Sequence, residues 1–212
     1  MQKAFLVDGS LCLGCNTCAM ACKNQYHQDK GILWRKVREI GAEEYHHDNN
    51  NILPALTSYQ KAPKAQMPME RFYFSLACNH CENPACVAVC PVGAHTKDPA
   101  TGICKHDQTI CIGWGGCVKA CPFGASKFNE KMNQAEKCSM CWERQADGKT
   151  TACVQSCPVG AIAIIDLHDP KYKEYANAAP IGIDYAINAE TKPSTRFIHP
   201  TMPKEVYRLP KG

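Results

Sequence analysis

An α+β fold, made of short strands and short helices around cysteine loops rather than around an ordinary apolar core, is what the sequence predicts, on three observations. First, 16 of the 212 residues are cysteine, and all but Cys104 fall into four groups. These are Cys12, Cys15, Cys18, Cys22; Cys78, Cys81, Cys86, Cys90; Cys111, Cys117, Cys121; and Cys138, Cys141, Cys153, Cys157. Second, the aromatic residues are only 3 Trp, 8 Tyr and 6 Phe, a thin supply for a core of this size. Third, the peptide C-P-x-G-A closes three of the four groups, at 90–94, 121–125 and 157–161.

The elements follow in order. Residues 3–7 read as a short strand entering the first cysteine loop, and 19–26 as a short helix leaving it. Cysteine is then absent until Cys78. Within that stretch 32–40 and 72–76 are strand-like, and they flank a polar, Asn- and His-bearing segment at 43–51 and a proline-containing loop reaching Pro68. The second and third groups share one unbroken module at 78–128. Between them 95–97 and 103–107 pair as a hairpin around Asp98-Pro99-Ala100-Thr101-Gly102. The fourth group spans 138–157 and runs into an apolar strand at 161–166. The chain from 167 onward, proline-bearing and free of cysteine, is expected to form an extended arm.

Spacing decides what the cysteines do. Sulfurs two residues apart rarely reach disulfide geometry, and structural zinc usually draws its ligands as two separated pairs. The first group reads C-x2-C-x2-C-x3-C, the bacterial ferredoxin pattern, in which three thiolates converge from one loop and the fourth serves a neighbouring cluster. Iron–sulfur chemistry is therefore favoured over zinc and over disulfides. Proline after the closing cysteine turns the chain away, and the following Gly-Ala lets backbone amides approach sulfur closely. The first group lacks this ending, since Lys23 follows Cys22.

The groups C12-LG-C-NT-C-AMA-C, C78-NH-C-ENPA-C-VAV-CP, C111-IGWGG-C-VKA-CP and C138-SM-C-x11-C-VQS-CP resemble the iron–sulfur subunits of the dimethyl sulfoxide reductase family. Those are four-cluster electron-transfer subunits that accompany a molybdopterin catalytic subunit. The resemblance covers residues 1–166 and is most specific in CNHCENPAC at 78–86. It implies two nested bacterial-ferredoxin-like modules: an outer one from 1–30 plus 129–166 and an inner one from 78–128. An insertion at 31–77 and the C-terminal arm at 167–212 complete the chain. It further implies crossed ligation. Cluster one takes Cys12, Cys15, Cys18 and Cys157, and cluster two takes Cys22, Cys138, Cys141 and Cys153. Cluster three takes Cys78, Cys81, Cys86 and Cys121, and cluster four takes Cys90, Cys111 and Cys117.

The third group departs from the full pattern, with Trp114 where a second cysteine would stand. Indole nitrogen only donates and cannot replace a thiolate. The same replacement in nitrate reductase relatives goes with a 3Fe–4S centre, so the resemblance implies three 4Fe–4S clusters and one 3Fe–4S. The alternative is four 4Fe–4S clusters, with Cys104 swinging in as the missing ligand; a lone strand cysteine is more often a small buried hydrophobe.

The formal charge of +4 counts cysteine as neutral. Four clusters at roughly −2 each bring the total to about −4, so nothing here favours nucleic acid or an anionic membrane. Lys23, Lys119, Arg144 and Lys149 are expected to offset cluster charge or to lie in solvent. His80 could ligate iron only by displacing a sufficient cysteine set, and His46-His47-Asp48 reads as an exposed polar loop rather than a metal site. Trp34 and Trp142 are expected to pack or to touch another subunit. The sequence has no Walker A loop, GxGxxG, nucleophile elbow or HExxH, and no apolar run of membrane-spanning length. Its start, MQKAFLVDGS, has no export signal, so the protein is expected to be cytoplasmic or carried across with a partner, and peripheral to a membrane as part of a complex.

The expected function is a relay of single electrons, with no catalytic site of its own. By resemblance it connects a large molybdopterin (molybdenum or tungsten) subunit, near cluster one, to a quinol-reactive membrane anchor subunit, near cluster four. A free-standing polyferredoxin and the small subunit of a soluble two-subunit molybdenum enzyme are the competing readings, with a structural zinc protein behind them.

Overall fold

The structure, a computed structural model, describes residues 1–40, 72–176 and 190–198. The polar segment at 43–51, with its His46-His47-Asp48 run, and the proline loop reaching Pro68 lie outside these residues. So does much of the stretch after 176.

Strand β1 (Lys3–Asp8) is the structural axis, with every residue after Lys3 buried. It can be apolar on both faces because it is central: β8 (Ile162–Asp166) pairs with it antiparallel, Lys3 opposite Asp166 and Val7 opposite Ile162, and β9 (Arg196–Ile198) pairs parallel, Leu6 opposite Arg196. Period-two alternation then splits its side chains. Phe5 and Val7 face a core containing Phe74, Phe123, Phe197 and Met140 together with Cys18, Cys78, Cys81, Cys138 and Cys153. Ala4 and Leu6 face a smaller core of Ile165, Tyr175 and Ile198. Sulfur thus occupies core positions that aromatics would fill elsewhere.

Each cysteine group sits between strands. Helix α1 (Thr17–Gln25) follows the first loop and buries Cys18, Ala19 and Cys22 on one face. The hairpin β2 (Lys36–Ile40) and β3 (Phe72–Leu76) comes next, with Lys36 opposite Leu76. Strand β2 begins four residues later than the periodicity suggests. The backbone from Gln28 to Trp34 is held in turns, with Gly31 at φ 85° and the Trp34 amide donating to Gln28 Oε1 at 3.1 Å. Lys23 closes the same turn by donating to the carbonyls of Gln28, Asp29 and Ile32 at 2.9, 2.5 and 3.2 Å. It therefore neither lies free in solvent nor points at sulfur, because three carbonyls claim its ammonium.

After the second group and helix α2 (Ala85–Ala88), the hairpin β4 (His95–Lys97) and β5 (Cys104–His106) forms as the sequence predicts, with Asp98 accepting from Ala100 N at 2.9 Å in its turn. Helix α3 (Gly116–Ala120) lies in the third group. A further hairpin, β6 (Lys127–Asn129) with β7 (Gln134–Glu136), leads to the fourth, which contains α4 (Trp142–Ala146) and α5 (Ala152–Gln155).

The C-terminal stretch, expected as an extended arm, packs on this protein's own body where it is described. Its first part folds as a 3-10 turn (Pro170–Tyr172) and helix α6 (Lys173–Ala176), burying Tyr175 against the β1 sheet. Farther on, Thr191 and Lys192 carbonyls accept from Asn83 N and Glu82 N at 3.0 and 2.9 Å, Ser194 N donates to Asn79 O at 3.0 Å, and β9 joins β1. The reason is local: Thr191, Ser194, Thr195, Phe197 and Ile198 are all buried on this protein's own second cysteine group and sheet.

Candidate metal centres

A sharp turn launches the first cysteine loop. Asp8 Oδ1 accepts from Ser10 N and Oγ at 2.8 and 2.6 Å, so the chain leaves β1 directly into Cys12. Left-handed backbone recurs at Gly14, Asn16, His80, Gly113, Gly115, Met140 and Cys141, as chains folding tightly around a central group require. The three C-P-x-G-A endings are copies of one turn. The glycine amide donates to the cysteine carbonyl at 3.4, 3.1 and 3.3 Å for Gly93, Gly124 and Gly160, whose φ values are 67°, 54° and 64°. The alanine amide then reaches back to the thiol: Ala125 N to Cys121 Sγ at 3.4 Å and Ala161 N to Cys157 Sγ at 3.2 Å. At Cys90, burial is outweighed by the amides of His95, Val92, Ala94 and Gly93, which hold the thiol below its ordinary range.

Two cavities show how the second and third groups combine. One is lined by Cys78, Cys81, Cys86 and, from the third group, Cys121. The other is lined by Cys111, Cys117 and, from the second group, Cys90, together with Trp114. Each group thus sends its closing cysteine to the other's cavity. Between the first and fourth groups, α1 packs on α5. Burial raises the Cys12 thiol, and its thiol neighbours Cys18, Cys157 and Cys15 add to the rise. Burial raises Cys22 to about 11, with Cys153 and Cys141 as its thiol neighbours.

The donor set suits a polynuclear iron–sulfur group. Burial, reinforced by neighbouring thiols, pushes Cys81 and Cys86 up to about 12. Thiols ring the two inner cavities. Hydrogen bonds also aim at individual sulfurs: Thr17 Oγ1 to Cys15 at 3.3 Å, Gln28 Nε2 to Cys22 at 3.4 Å and Met140 N to Cys138 at 3.3 Å.

Cys104 is the residue for which spacing leaves a choice. Its side chain is 1% exposed and lines the cavity of Cys78, Cys81, Cys86 and Cys121, with Sγ 3.8 Å from the Cys81 carbonyl. It does not line the Trp114 cavity. As a fourth ligand for Cys90, Cys111 and Cys117 it is therefore misplaced, because β5 carries it to the other side of the inner pair. Trp114 remains at that corner, 59% exposed, its ring lying against Gly116.

His80 is fully buried, and its Nδ1 accepts the Cys104 amide at 3.1 Å; Asn79 rather than His80 lines the adjoining cavity. Trp34 donates to Glu136 Oε2 at 3.0 Å and packs on Tyr26, while Trp142 lies under Lys105 Nζ. Lys119 is exposed, Lys149 pairs with Asp147 at 3.9 Å, and Arg144 ties Thr150 O to Gln25.

Two cations that sequence reasoning does not single out are buried among the sulfurs. Lys137 donates to the carbonyls of Cys104 and of Cys138, the latter at 3.1 Å, with Cys78 Sγ 4.0 Å away. Arg35 is 1% exposed; burial opposes its charge, but the thiols of Cys153, Cys138, Cys18 and Cys22 hold its pKa above the ordinary value. Position beside a cysteine pair could have flagged Lys137. Nothing in the sequence flags Arg35, which reaches the sulfurs only through tertiary folding.

Comparison with known proteins agrees with this chemistry. Residues 69–167 match the 4Fe-4S dicluster domain family and 9–25 match a 4Fe-4S binding domain. The sequence is 36% identical to the B polypeptide of anaerobic dimethyl sulfoxide reductase from Escherichia coli K12, over 85% of this protein and 82% of that one. It is 30% identical to the beta subunit of chlorate reductase from Ideonella dechloratans, over 94% and 77%. To the B polypeptide of tetrathionate reductase from Salmonella typhimurium it is 34% identical, over 79% and 59%.

Proposed function

Because this protein belongs to the family of iron–sulfur electron-transfer subunits of molybdopterin-dependent reductases, we propose that it carries electrons through four clusters in two nested pairs. Cluster one is held by Cys12, Cys15, Cys18 and Cys157, cluster two by Cys22, Cys138, Cys141 and Cys153. Cluster three is held by Cys78, Cys81, Cys86 and Cys121, cluster four by Cys90, Cys111 and Cys117. The observation that carries this reading is the exchange of Cys121 and Cys90 between the two inner cavities. When bound, the clusters supply one-electron chemistry. The protein's own part is to hold them by thiolates, to donate amide and hydroxyl hydrogens to those thiolates, and to shield them from water.

The relay has two exits. Around the first loop Leu11, Leu13 and Met20 are exposed, and around the third Val92, Ile110, Ile112 and Trp114. Exposed apolar groups beside a metal loop suit lasting partners better than a freely diffusing carrier. The first loop would face the molybdopterin catalytic subunit and the third a quinol-reactive membrane subunit. No helix among the described residues is long and apolar enough to cross a membrane, so in this reading the protein sits at the membrane through that subunit.

Cluster four is 3Fe–4S in this reading, since Trp114 supplies no thiolate and Cys104 lies at the other cavity. The purified complex should contain about 15 irons in this polypeptide rather than about 16 and give a near-isotropic EPR signal when oxidised. Cys104→Ser should leave that signal in place, and Trp114→Cys should replace it with a fourth 4Fe–4S centre. An EPR-silent oxidised sample with about 16 irons would refute the assignment.

A further inference from the structure

Arg35 stands immediately before β2, in the hairpin that separates the first and second cysteine groups. Its guanidinium is 1% exposed. Its Nη1 donates to Ser75 Oγ at 2.9 Å and to Ser75 O at 3.3 Å, its carbon sits 4.3 Å over the Phe5 ring, and Nη2 has no partner. No carboxylate is among these contacts. An arginine stays protonated at any working pH, and a buried charge without a counter-charge is strongly disfavoured. The compensating charge must come from what the surrounding thiols hold.

Ser75 fixes the direction of coupling. Its Oγ accepts from Arg35 and lies 3.1 Å from Cys18 Sγ. A hydroxyl has one hydrogen to give. A ligating Cys18 is a thiolate with none, so the Ser75 hydrogen points at Cys18. The thiols nearest Arg35 in electrostatic effect are Cys153, Cys138, Cys18 and Cys22, drawn from both outer clusters. Reduction of either cluster adds one electron and no proton, increasing the negative charge that faces the guanidinium.

We propose that Arg35 is a potential-setting residue, the counter-charge shared by clusters one and two, acting on Cys18 through the Ser75 hydroxyl. The hairpin of the insertion is then more than a spacer: β3 carries Ser75, the loop before β2 carries Arg35, and together they favour the reduced state of the outer pair. The proposal rests on the cluster assignment above.

The test is an EPR-monitored redox titration of the intact complex, with iron content measured alongside. Arg35→Met should lower the reduction equilibrium constant of the outer-pair clusters about tenfold, which is 59 mV for a one-electron couple. Arg35→Lys, which keeps the charge, should restore most of that shift. Ser75→Ala should lower the potential of the cluster bound by Cys18 and leave the inner pair unmoved. If Arg35→Met retains its iron with unshifted potentials, or if Arg35→Lys shifts them as far as Arg35→Met, the proposal is overturned. Should Arg35→Met lose its iron, Ser75→Ala and Arg35→Lys decide in the same way: an unmoved Ser75→Ala overturns it. A parent complex without cluster signals would instead defeat the cluster reading itself.

Discussion

Gly113 lies in the third cysteine loop, Gly116 opens α3, and the two serve different ends. At Gly113, φ is +72° and a Cβ would collide with the carbonyl oxygen of Asn133, part of the backbone. Neither constraint can relax cheaply, so Gly113→Ala should cost at least about 1–2 kcal/mol from the left-handed backbone alone, read as a lowered denaturation midpoint. At Gly116 the obstacle to a Cβ is the Trp114 ring. That ring is already 59% exposed and can swing outward. Gly116→Ala should therefore change stability by no more than about 0.5 kcal/mol while increasing quenching of tryptophan fluorescence by acrylamide. Side-chain chemistry at this corner was legible in the sequence, because a tryptophan in a cysteine slot is conspicuous. The glycine beneath it was not, since its role is a contact with a ring two residues away that spacing does not reveal.

Among the elements, the β4–β5 hairpin holds an unusual pair. His95 and His106 are opposite one another, their rings stacked at 4.4 Å, and neither ring of the pair finds partners for all its nitrogens. Burial pushes His95 down to about 3, helped by His106 and Lys137, and burial with Lys137 pushes His106 down to about 4 against the opposing pull of Asp107. Both stay neutral in the folded chain between about pH 4 and 6.5, while the unfolded chain takes up protons there. The unfolded state binds more protons, so stability rises with pH across this window and is lost as pH falls from about 6.5 toward 4. Replacing His106 by Phe should flatten that dependence. Denaturant midpoints of variant and parent, compared at each pH, check it, since acid loss of metal common to both cancels.

The elements that could be read from sequence are those with apolar runs: β1, β3 and β8 lie within a residue of expectation. The β6–β7 hairpin was hidden because four of its six residues are polar; Asn129 is buried through bonds to Asp29 and Glu136 at 3.0 and 2.6 Å rather than through apolar packing. Strand β9 was hidden for another reason. Three residues, Arg196-Phe197-Ile198, in a proline-bearing stretch give no periodicity, and only the open edge of β1 makes them a strand.

At the scale of the whole molecule, the first and fourth cysteine groups lie more than a hundred residues apart in sequence, yet one sheet joins them. Strand β1 runs into the first and β8 runs out of the fourth, paired residue for residue. A protein with so few aromatics closes this ring partly through sulfur, since Cys18, Cys138 and Cys153 belong to the same core as Phe5 and Phe74. Thiolate ligation shared between the two loops would then lock the sheet, and stripping the metal should loosen both ends of the chain together. Cys157 tests this most directly. It is close in sequence to Cys153, but its thiol acts on Cys12 and Cys18, and its sulfur accepts the amide of Ala161 at the start of β8. Cys157→Ser should perturb the EPR signal of the cluster held by the N-terminal loop, the one that Cys15→Ser also removes. If it removed only the signal that Cys153→Ser removes, the loops would be ligated separately and the sheet alone would hold the ends together.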